Sequence, residues 1–276
     1  MKNLIKLLLI LLPGVVLAQQ SDSNKIEGLN LDSIFSPKTG TFVLYSLNTD
    51  TYSVYNKKRA EEYFPAHSTV KILCSIAALE QNVVKETDFV TWDSSKYKKQ
   101  DWWVGEPYKH WTENQNIVSA LKYSINWYYL DLLKKMDMQK TKNLFDRMDF
   151  GMIPDTLYPF YFAISNQVYT NAFKEAIFLG RLYQHKLDIS NKTDDIIIKA
   201  LLSELDTNYK LYSKTGAGDV KGGKAIGWIV GIIEKQNNKY VFALNIEENK
   251  SDTPPMIQND LHNRLNRILI SLHLDH

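Results

Sequence analysis

Segments typical of β-strands lie near both ends of this chain of 276 residues, and segments typical of helices lie between them. Residues 41–45 and 51–55 are rich in β-branched and aromatic side chains, and the turn signal at 48–50 between them predicts a hairpin. Three later strands are predicted at residues 209–214, 225–233 and 240–246. A single sheet built from both ends of the chain, with a helical insertion, explains this order best.

Apolar residues recur at helical spacing through the middle of the chain. The predicted central helices cover residues 68–79, 118–136, 172–185 and 194–205. A last amphipathic helix is expected after Pro254 and Pro255, which we predict to break the chain. Residues 19–36 are polar and predict a loose lead-in.

The length suffices for one large domain with a sizeable core. We therefore predict an α/β (α+β) fold in which an antiparallel sheet is flanked by helices. The sheet is expected from about residues 40–60 and 209–276, and an α-helical subdomain from about residues 66–203.

The first 18 residues have the pattern of a secretory signal peptide. Lys2 and Lys6 precede an apolar run, and Val16 and Ala18 are small enough for the cleavage site. Cleavage after Ala18 would leave a mature domain of residues 19–276, secreted to the periplasm. The run is short for a membrane anchor, and no later stretch is long and apolar enough to span a bilayer, so no membrane association is expected after cleavage.

Charge and metal-ligand patterns exclude several other classes of function. The 33 Lys and Arg residues nearly balance 31 Asp and Glu residues without a clustered basic face, so no nucleic-acid partner is expected. The one cysteine, Cys74, lies among apolar residues and predicts a buried small side chain rather than a nucleophile. The six histidines have no zinc-ligand spacing, so no metal is expected. The sequence predicts no particular oligomeric state.

The segment Ser68-Thr69-Val70-Lys71 opens an apolar helix after Pro65. A serine hydroxyl needs a base to become a nucleophile, and a lysine three residues later lies on the same helix face. That lysine serves as a base only when burial or a nearby cation lowers its pKa. Two further Ser-x-x-Lys patterns, at 95–98 and 119–122, lie in a charged loop and on a helix with a solvated lysine.

Two further motifs follow in chain order. Ser124-Ile125-Asn126 lies in the helical part, and Lys214-Thr215-Gly216 ends a predicted strand. A second Lys-Thr-Gly at 38–40 precedes the serine and is expected to be coincidental. Three motifs in one order, each on a suitable element, predict a shared active site.

These motifs resemble the signature of penicillin-recognising serine enzymes. Residues 65–71, Trp92-Asp93, 109–111, 213–216 and 227–231 resemble the class D β-lactamases, the oxacillinases. The similarity runs from about residue 40 to 250. The segment 124–129 also resembles the extracellular penicillin-sensing domains of β-lactam receptor proteins.

The resemblance implies a β-lactamase/transpeptidase-like fold and a role for each motif. Ser68 is expected to be acylated, Lys71 to act as base, and Ser124 to relay a proton to the leaving nitrogen. In class D enzymes the lysine carries a carbamate derived from carbon dioxide, and no other cofactor is expected. The predicted substrate-binding residues are Asn126, Lys214, Thr215, Gly216 and Ala217. Backbone N–H groups of Ser68 and Ala217 would form the oxyanion hole.

The sequence departs from the class D pattern at several positions. Asn126 stands where those enzymes have an apolar residue, which disfavours a carbamate on Lys71. Phe150-Gly151-Met152 replaces Tyr-Gly-Asn, and Ala163 aligns with a tryptophan that contacts the carbamate, with the aromatic residues 160–162 close by. A carboxylate-binding arginine is expected near 257–258, where the chain has Ile257-Gln258, and Arg264 follows on the last helix.

The sequence therefore predicts an antibiotic-resistance enzyme that hydrolyses a small-molecule β-lactam through an acyl-enzyme on Ser68. One alternative is a penicillin-binding or sensor-like protein that is acylated with little turnover. A second is a non-catalytic binding protein, for which Ser68→Ala would leave ligand affinity unchanged. Trp102, Trp103 and Trp111 are expected either to line a substrate cleft or to pack under a long loop.

Overall fold

The structure is a computed structural model that describes residues 26–220 and 223–275. The predicted signal peptide lies outside the described residues, and export stays a prediction. Among the helices of the described part, none combines the length and apolar character needed to cross a membrane.

One seven-stranded sheet organises the molecule in the order β1-β3-β2-β9-β8-β7-β6. Its strands are β1 (Ile26–Gly28), β2 (Gly40–Ser46), β3 (Thr51–Tyr55), β6 (Leu202–Leu205), β7 (Tyr209–Val220), β8 (Lys224–Lys235) and β9 (Asn238–Asn249). A small second sheet joins β4 (Phe64–Pro65) and β5 (Tyr169–Thr170). All neighbours in the large sheet are antiparallel except β1 and β3.

The two ends of the chain meet in the middle of this sheet. Strand β2 pairs with β9, so that Gly40 lies opposite Ile246 and Ser46 opposite Tyr240. The predicted hairpin at residues 41–55 and the three predicted late strands are therefore joined as expected.

Helices cover both faces of the sheet. The α-helices are α1 (Asp32–Phe35), α2 (Lys57–Ala60), α3 (Lys71–Glu80), α4 (Ile117–Lys122), α5 (Asn126–Leu132), α6 (Met138–Met148), α7 (Tyr161–Gln167), α8 (Ala172–Tyr183), α9 (Asn191–Leu201) and α10 (Pro254–Ser271). Short 3-10 turns occur at His67–Val70, Tyr108–Thr112 and Leu133–Lys135.

Alternating side chains of the strands divide the interior into two apolar cores. Val43 and Trp228 belong to the core shared with the central helices, whereas Phe42, Leu44 and Ile229 belong to the core under α1 and α10. This alternation follows from the two-residue period of a strand, which sends successive side chains to opposite faces. The predicted antiparallel sheet with flanking helices and a helical part is thus present.

Several predicted boundaries are wrong. The predicted loose lead-in contains β1 and α1, and the predicted helix at 118–136 is broken between α4 and α5. At the break Ser124 has a φ of +58°, a left-handed conformation that ends regular helix geometry. Residues 202–205 continue as β6 rather than as helix, because they pair with β7. Pro254 and Pro255 start α10 rather than breaking the chain, since proline fits the first helical turn.

Candidate active site

Ser68 lies in the 3-10 turn His67–Val70, directly before α3. Behind the turn, the Thr69 Oγ1 atom lies 2.9 Å from the Ala66 carbonyl oxygen and 2.6 Å from Glu175 Oε1 on α8. One hydroxyl proton cannot serve both oxygens. Burial raises the pKa of Glu175 to about 8, so the protonated carboxyl can donate to Thr69 while Thr69 donates to Ala66. This chain of hydrogen bonds fixes the turn from below.

Lys71 is wholly buried one helical turn after Ser68. Its Nζ atom lies 2.6 Å from the Ser124 carbonyl oxygen, 3.0 Å from Ser124 Oγ and 2.6 Å from Asn126 Oδ1. The rings of Tyr129 and Tyr161 cover the amine on other sides, with their centroids 5.3 Å and 4.7 Å away. Burial, and next the charge of Lys214, hold the pKa of Lys71 well below its usual 10.5. The site therefore favours a neutral amine, as a general base requires.

Ser124 links the two lysines. Lys214 Nζ donates to Ser124 Oγ at 2.9 Å and to its neighbour Thr215 O at 2.7 Å. Burial lowers the pKa of Lys214 to about 7. The left-handed backbone of Ser124 turns its carbonyl and its hydroxyl toward Lys71 at the same time. The irregularity that breaks the predicted helix therefore builds the site.

The hydroxyl of Tyr161 lies 3.0 Å from Ser68 Oγ. Sequence alignment placed Ala163 at this side of the site, but the structure places the side chain of Tyr161 there, at the start of α7, whereas Ala163 is half-buried. The aromatic run at 160–162 was the only signal in the sequence, and it did not say which ring points inward. Phe160 and Phe162 are exposed, and Tyr161 is buried.

An open cleft of about 90 Å³ lies in front of Ser68. Its lining residues are Ser68, Trp102, Tyr108, Trp111, Ser124, Asn126, Thr215, Gly216, Ala217, Pro254 and Gln258. One wall is the edge of β7, which β6 pairs only at residues 210–212, and the opposite wall is aromatic. Of the three tryptophans, Trp102 and Trp111 thus line the cleft, whereas Trp103 packs in the core.

The structure brings all eight predicted site residues together around this cleft. Lys71 and Lys214 lie beneath it, joined through Ser124, and the other six line it. Their chemical roles stay predictions. Gln258, which stands where an arginine was expected, donates to Thr215 Oγ1 at 3.2 Å. Arg264 lies elsewhere and donates to the carbonyl oxygens of Ile34 and Phe35.

Other sequence features have structural explanations. Cys74 is buried, as predicted. Lys38 of the early Lys-Thr-Gly forms ion pairs with Glu248 and Asp260. Ser119 caps α4 together with Asn116. Within the part of the chain that the structure describes, no group of three or more acidic, histidine or cysteine side chains is arranged to hold a metal ion.

Comparison with known proteins defines the class. The model of the penicillin binding protein transpeptidase domain matches residues 33–264, so the chain belongs to that family. A solved class D β-lactamase from Sebaldella termitidis ATCC 33386 superposes with a TM-score of 0.80 at 25% identity, covering 92% of this chain and 100% of that one. The fold is therefore the transpeptidase-like fold of class D β-lactamases, and the resemblance drawn from the motifs is confirmed.

Relatives by sequence fall into two groups. The methicillin resistance mecR1 protein of Staphylococcus aureus is 30% identical over 75% of this chain, which spans only 34% of that longer protein. A probable β-lactamase, YbxI of Bacillus subtilis strain 168, is 26% identical over 81% of this chain and 80% of its own length. The chain is thus similar both to a methicillin resistance protein and to a probable β-lactamase.

Proposed function

We propose that this protein hydrolyses β-lactams through an acyl-enzyme on Ser68, with Lys71 as the general base. The observation that supports this proposal is the convergence of a serine hydroxyl, a buried amine of lowered pKa and a relaying serine on one cleft. Similarity to β-lactamases along most of the chain supports a β-lactam as the substrate class.

Acylation begins when Ser68 Oγ attacks the lactam carbonyl carbon and Lys71 takes the hydroxyl proton. The oxyanion that forms is stabilised by backbone N–H groups of Ser68 and Ala217. When the C–N bond breaks, the nitrogen takes a proton from Ser124, which takes one in turn from Lys71. Charged Lys214 stabilises the relay and, with Thr215, holds the carboxylate of the substrate.

Deacylation needs the same base a second time. Water attacks the ester carbon, Lys71 takes a proton from that water, and the Ser68 oxygen leaves and is reprotonated. A carbamate on Lys71 does not fit the arrangement well, because two of its three close contacts, Ser124 O and Asn126 Oδ1, are acceptor oxygens 2.6 Å from Nζ. We therefore propose that Lys71 works as an unmodified amine.

One observation favours a second candidate, a protein that is acylated by β-lactams but releases the product slowly. Asn126 Oδ1 accepts a hydrogen bond from the Lys71 amine at 2.6 Å and stabilises its protonated form, so less free base is left for deacylation. The mecR1 protein, whose name records methicillin resistance, is among the relatives. In this candidate function the acyl-enzyme is long-lived, and the protein either signals the presence of the β-lactam or sequesters it.

A chromogenic cephalosporin separates the two candidates. Turnover and the mass of the protein are followed together, with and without added bicarbonate, for the wild type, Ser68→Ala and Asn126→Leu. Sustained turnover that bicarbonate does not change supports the proposed hydrolase with an unmodified lysine. One stoichiometric adduct without turnover supports the second candidate, and Asn126→Leu should then shorten the adduct lifetime about tenfold or more, since the loss of one charge-assisted hydrogen bond is worth about 1.5–3 kcal/mol.

Two results contradict the proposal. Wild-type protein that forms neither adduct nor product excludes both candidates. Turnover that persists in Ser68→Ala would show that the nucleophile is another group. The matched control Asn143→Leu alters an asparagine on α6 whose Oδ1 accepts from Gln139, and it should behave as the wild type.

A further inference from the structure

His67 is the first residue of the 3-10 turn that carries Ser68, here called the nucleophile turn, and its side chain lies against strand β7. Its side chain is only 3% exposed, and its backbone has a φ of +49°, in the left-handed region that most residues avoid. The ring packs directly against Gly218. A Cβ atom built on Gly218 would lie 2.5 Å from His67 Nδ1 and 2.6 Å from Cε1. The imidazole therefore occupies the space that a side chain at residue 218 would need.

The two residues in this contact flank the two residues of the proposed oxyanion hole. His67 directly precedes Ser68, and Gly218 directly follows Ala217. A second close approach lies two residues earlier on β7, where a Cβ atom on Gly216 would lie 3.0 Å from Ala66 O and 3.1 Å from the Ser68 nitrogen. Close contacts on both sides of Ala217 thus set the distance between the 3-10 turn and strand β7. At Gly218 the side chain that makes this contact is the ring of His67.

The ring contributes by its shape rather than by charge. Burial lowers the pKa of His67 to about 4, although Asn166, Asp219 and the backbone of Gly218 act in the opposite direction. The imidazole is therefore neutral at neutral pH and adds no cation to the oxyanion hole. A neutral, rigid and buried ring can still keep two peptide groups at a fixed distance, because packed interiors deform little.

We propose that His67 is a positioning residue, a spacer against Gly218 that holds the backbone N–H groups of Ser68 and Ala217 at the separation that an oxyanion requires. The inference rests on the proposed acylation of Ser68. An oxyanion exists only after Ser68 has attacked, so a change in this separation should slow acylation and leave the initial binding of the β-lactam nearly unchanged.

The test is a double-mutant cycle with Gly218→Ala, His67→Ala and the double variant. Stopped-flow measurement over a range of cephalosporin concentrations separates the dissociation constant of the first complex from the acylation rate constant. Each single variant should lower the acylation rate constant about tenfold, a fraction of the loss that follows removal of an oxyanion donor, with less than a twofold change in the dissociation constant. In the double variant the methyl group that Gly218→Ala introduces occupies the space that the imidazole ring has left. The double variant should therefore be acylated no more slowly than His67→Ala alone.

Rates are expressed per folded molecule, counted by the final adduct mass, so that a loss of stability alone does not affect them. The control Gly28→Ala adds a Cβ atom at a position where no neighbouring atom lies within 4 Å of it, and this variant should match the wild type. Wild-type rate constants in both single variants, or losses that multiply in the double variant, would overturn the inference. If His67→Ala does not fold, an unchanged rate in Gly218→Ala overturns it alone. Wild-type protein that is never acylated would instead refute the proposed function.

Discussion

At the scale of single residues, the protonation state of Lys71 determines whether the site can start the reaction. A neutral Lys71 amine has two N–H groups, which Ser124 O and Asn126 Oδ1 accept at 2.6 Å, and one lone pair, which these two contacts leave free. Ser124 Oγ in turn accepts from Lys214. The lone pair of the neutral amine is then free to take the proton of Ser68, as a general base requires.

Tyr161 should orient the nucleophile through its hydroxyl. Tyr161→Phe removes the 3.0 Å hydrogen bond to Ser68 and keeps the ring that shields Lys71. One hydrogen bond is worth about 1 kcal/mol, so acylation should slow about fivefold at nearly unchanged melting temperature. The adduct formed with time, measured by mass, gives the rate. The control is Tyr158→Phe, which changes an exposed tyrosine three residues before Tyr161, and equal rates in the two variants would contradict the role of Tyr161.

The sequence predicted most residues of the site and missed those that act across long separations. Ser68, Lys71, Ser124 and Lys214 were predictable because each belongs to a short motif on a recognisable element. Tyr161 reaches Ser68 across 93 positions. Which of three adjacent aromatic rings points inward depends on where α7 begins, and local sequence does not determine that boundary.

At the scale of elements, helix α8 supports the nucleophile turn from behind. Its Glu175 is fully buried, and burial raises the pKa of this carboxyl to about 8, far above that of an unfolded glutamate. The folded state therefore holds a proton that the unfolded state loses above about pH 4.3. The stability from this group is present at low pH and is lost as the pH rises toward about 8.

Glu175→Gln should remove this loss of folding stability at higher pH. The amide donates to Thr69 as the protonated carboxyl does, but it does not titrate. The variant should gain stability over the wild type as the pH rises from about 5 to 8, by up to about 4 kcal/mol. Urea unfolding at several pH values measures the difference. Parallel curves for the two proteins would show that Glu175 does not hold a proton, and Gln167→Glu, an exposed glutamine on α7, should leave the pH dependence unchanged.

Elements that depend on tertiary pairing were the ones that sequence patterns misjudged. Strand β7 runs through Gly216 and Gly218, which lack strand propensity, because β8 pairs with it along its whole length. Residues 202–205 have helical periodicity but pair with β7. In both cases hydrogen bonds from a partner strand outweigh the local preference.

At the scale of the whole molecule, the sheet separates two apolar cores that have different structural roles. The core on the helical side surrounds α3 and the cleft, and the core under α1 and α10 lies on the opposite face. Because the predicted apolar stripe of α10 covers that opposite face, truncation of one side chain in the stripe should destabilise the fold without altering the chemistry of the site.

A matched pair on α10 tests this division. Leu265 is 1% exposed and Ile270 is 58% exposed on the same helix. Leu265→Ala should lower the free energy of unfolding by about 2–5 kcal/mol, whereas Ile270→Ala should change it by less than about 0.5 kcal/mol. Chemical denaturation measures both. Acylation per folded molecule should equal that of the wild type in both variants, and a slower rate in Leu265→Ala would show that the two cores are coupled.

The pairing of β2 with β9 also has a consequence for how the chain is made. During synthesis β2 leaves the ribosome nearly two hundred residues before β9, its partner strand in the sheet. The edge of the first hairpin that pairs with β9 therefore has no hydrogen-bond partner while the helical part is made. Contacts between such distant segments form slowly. A nascent chain of this protein therefore stays open until its last strands arrive, and any cleavage before residue 238 leaves an N-terminal fragment with a bare β-edge, prone to aggregate rather than to fold.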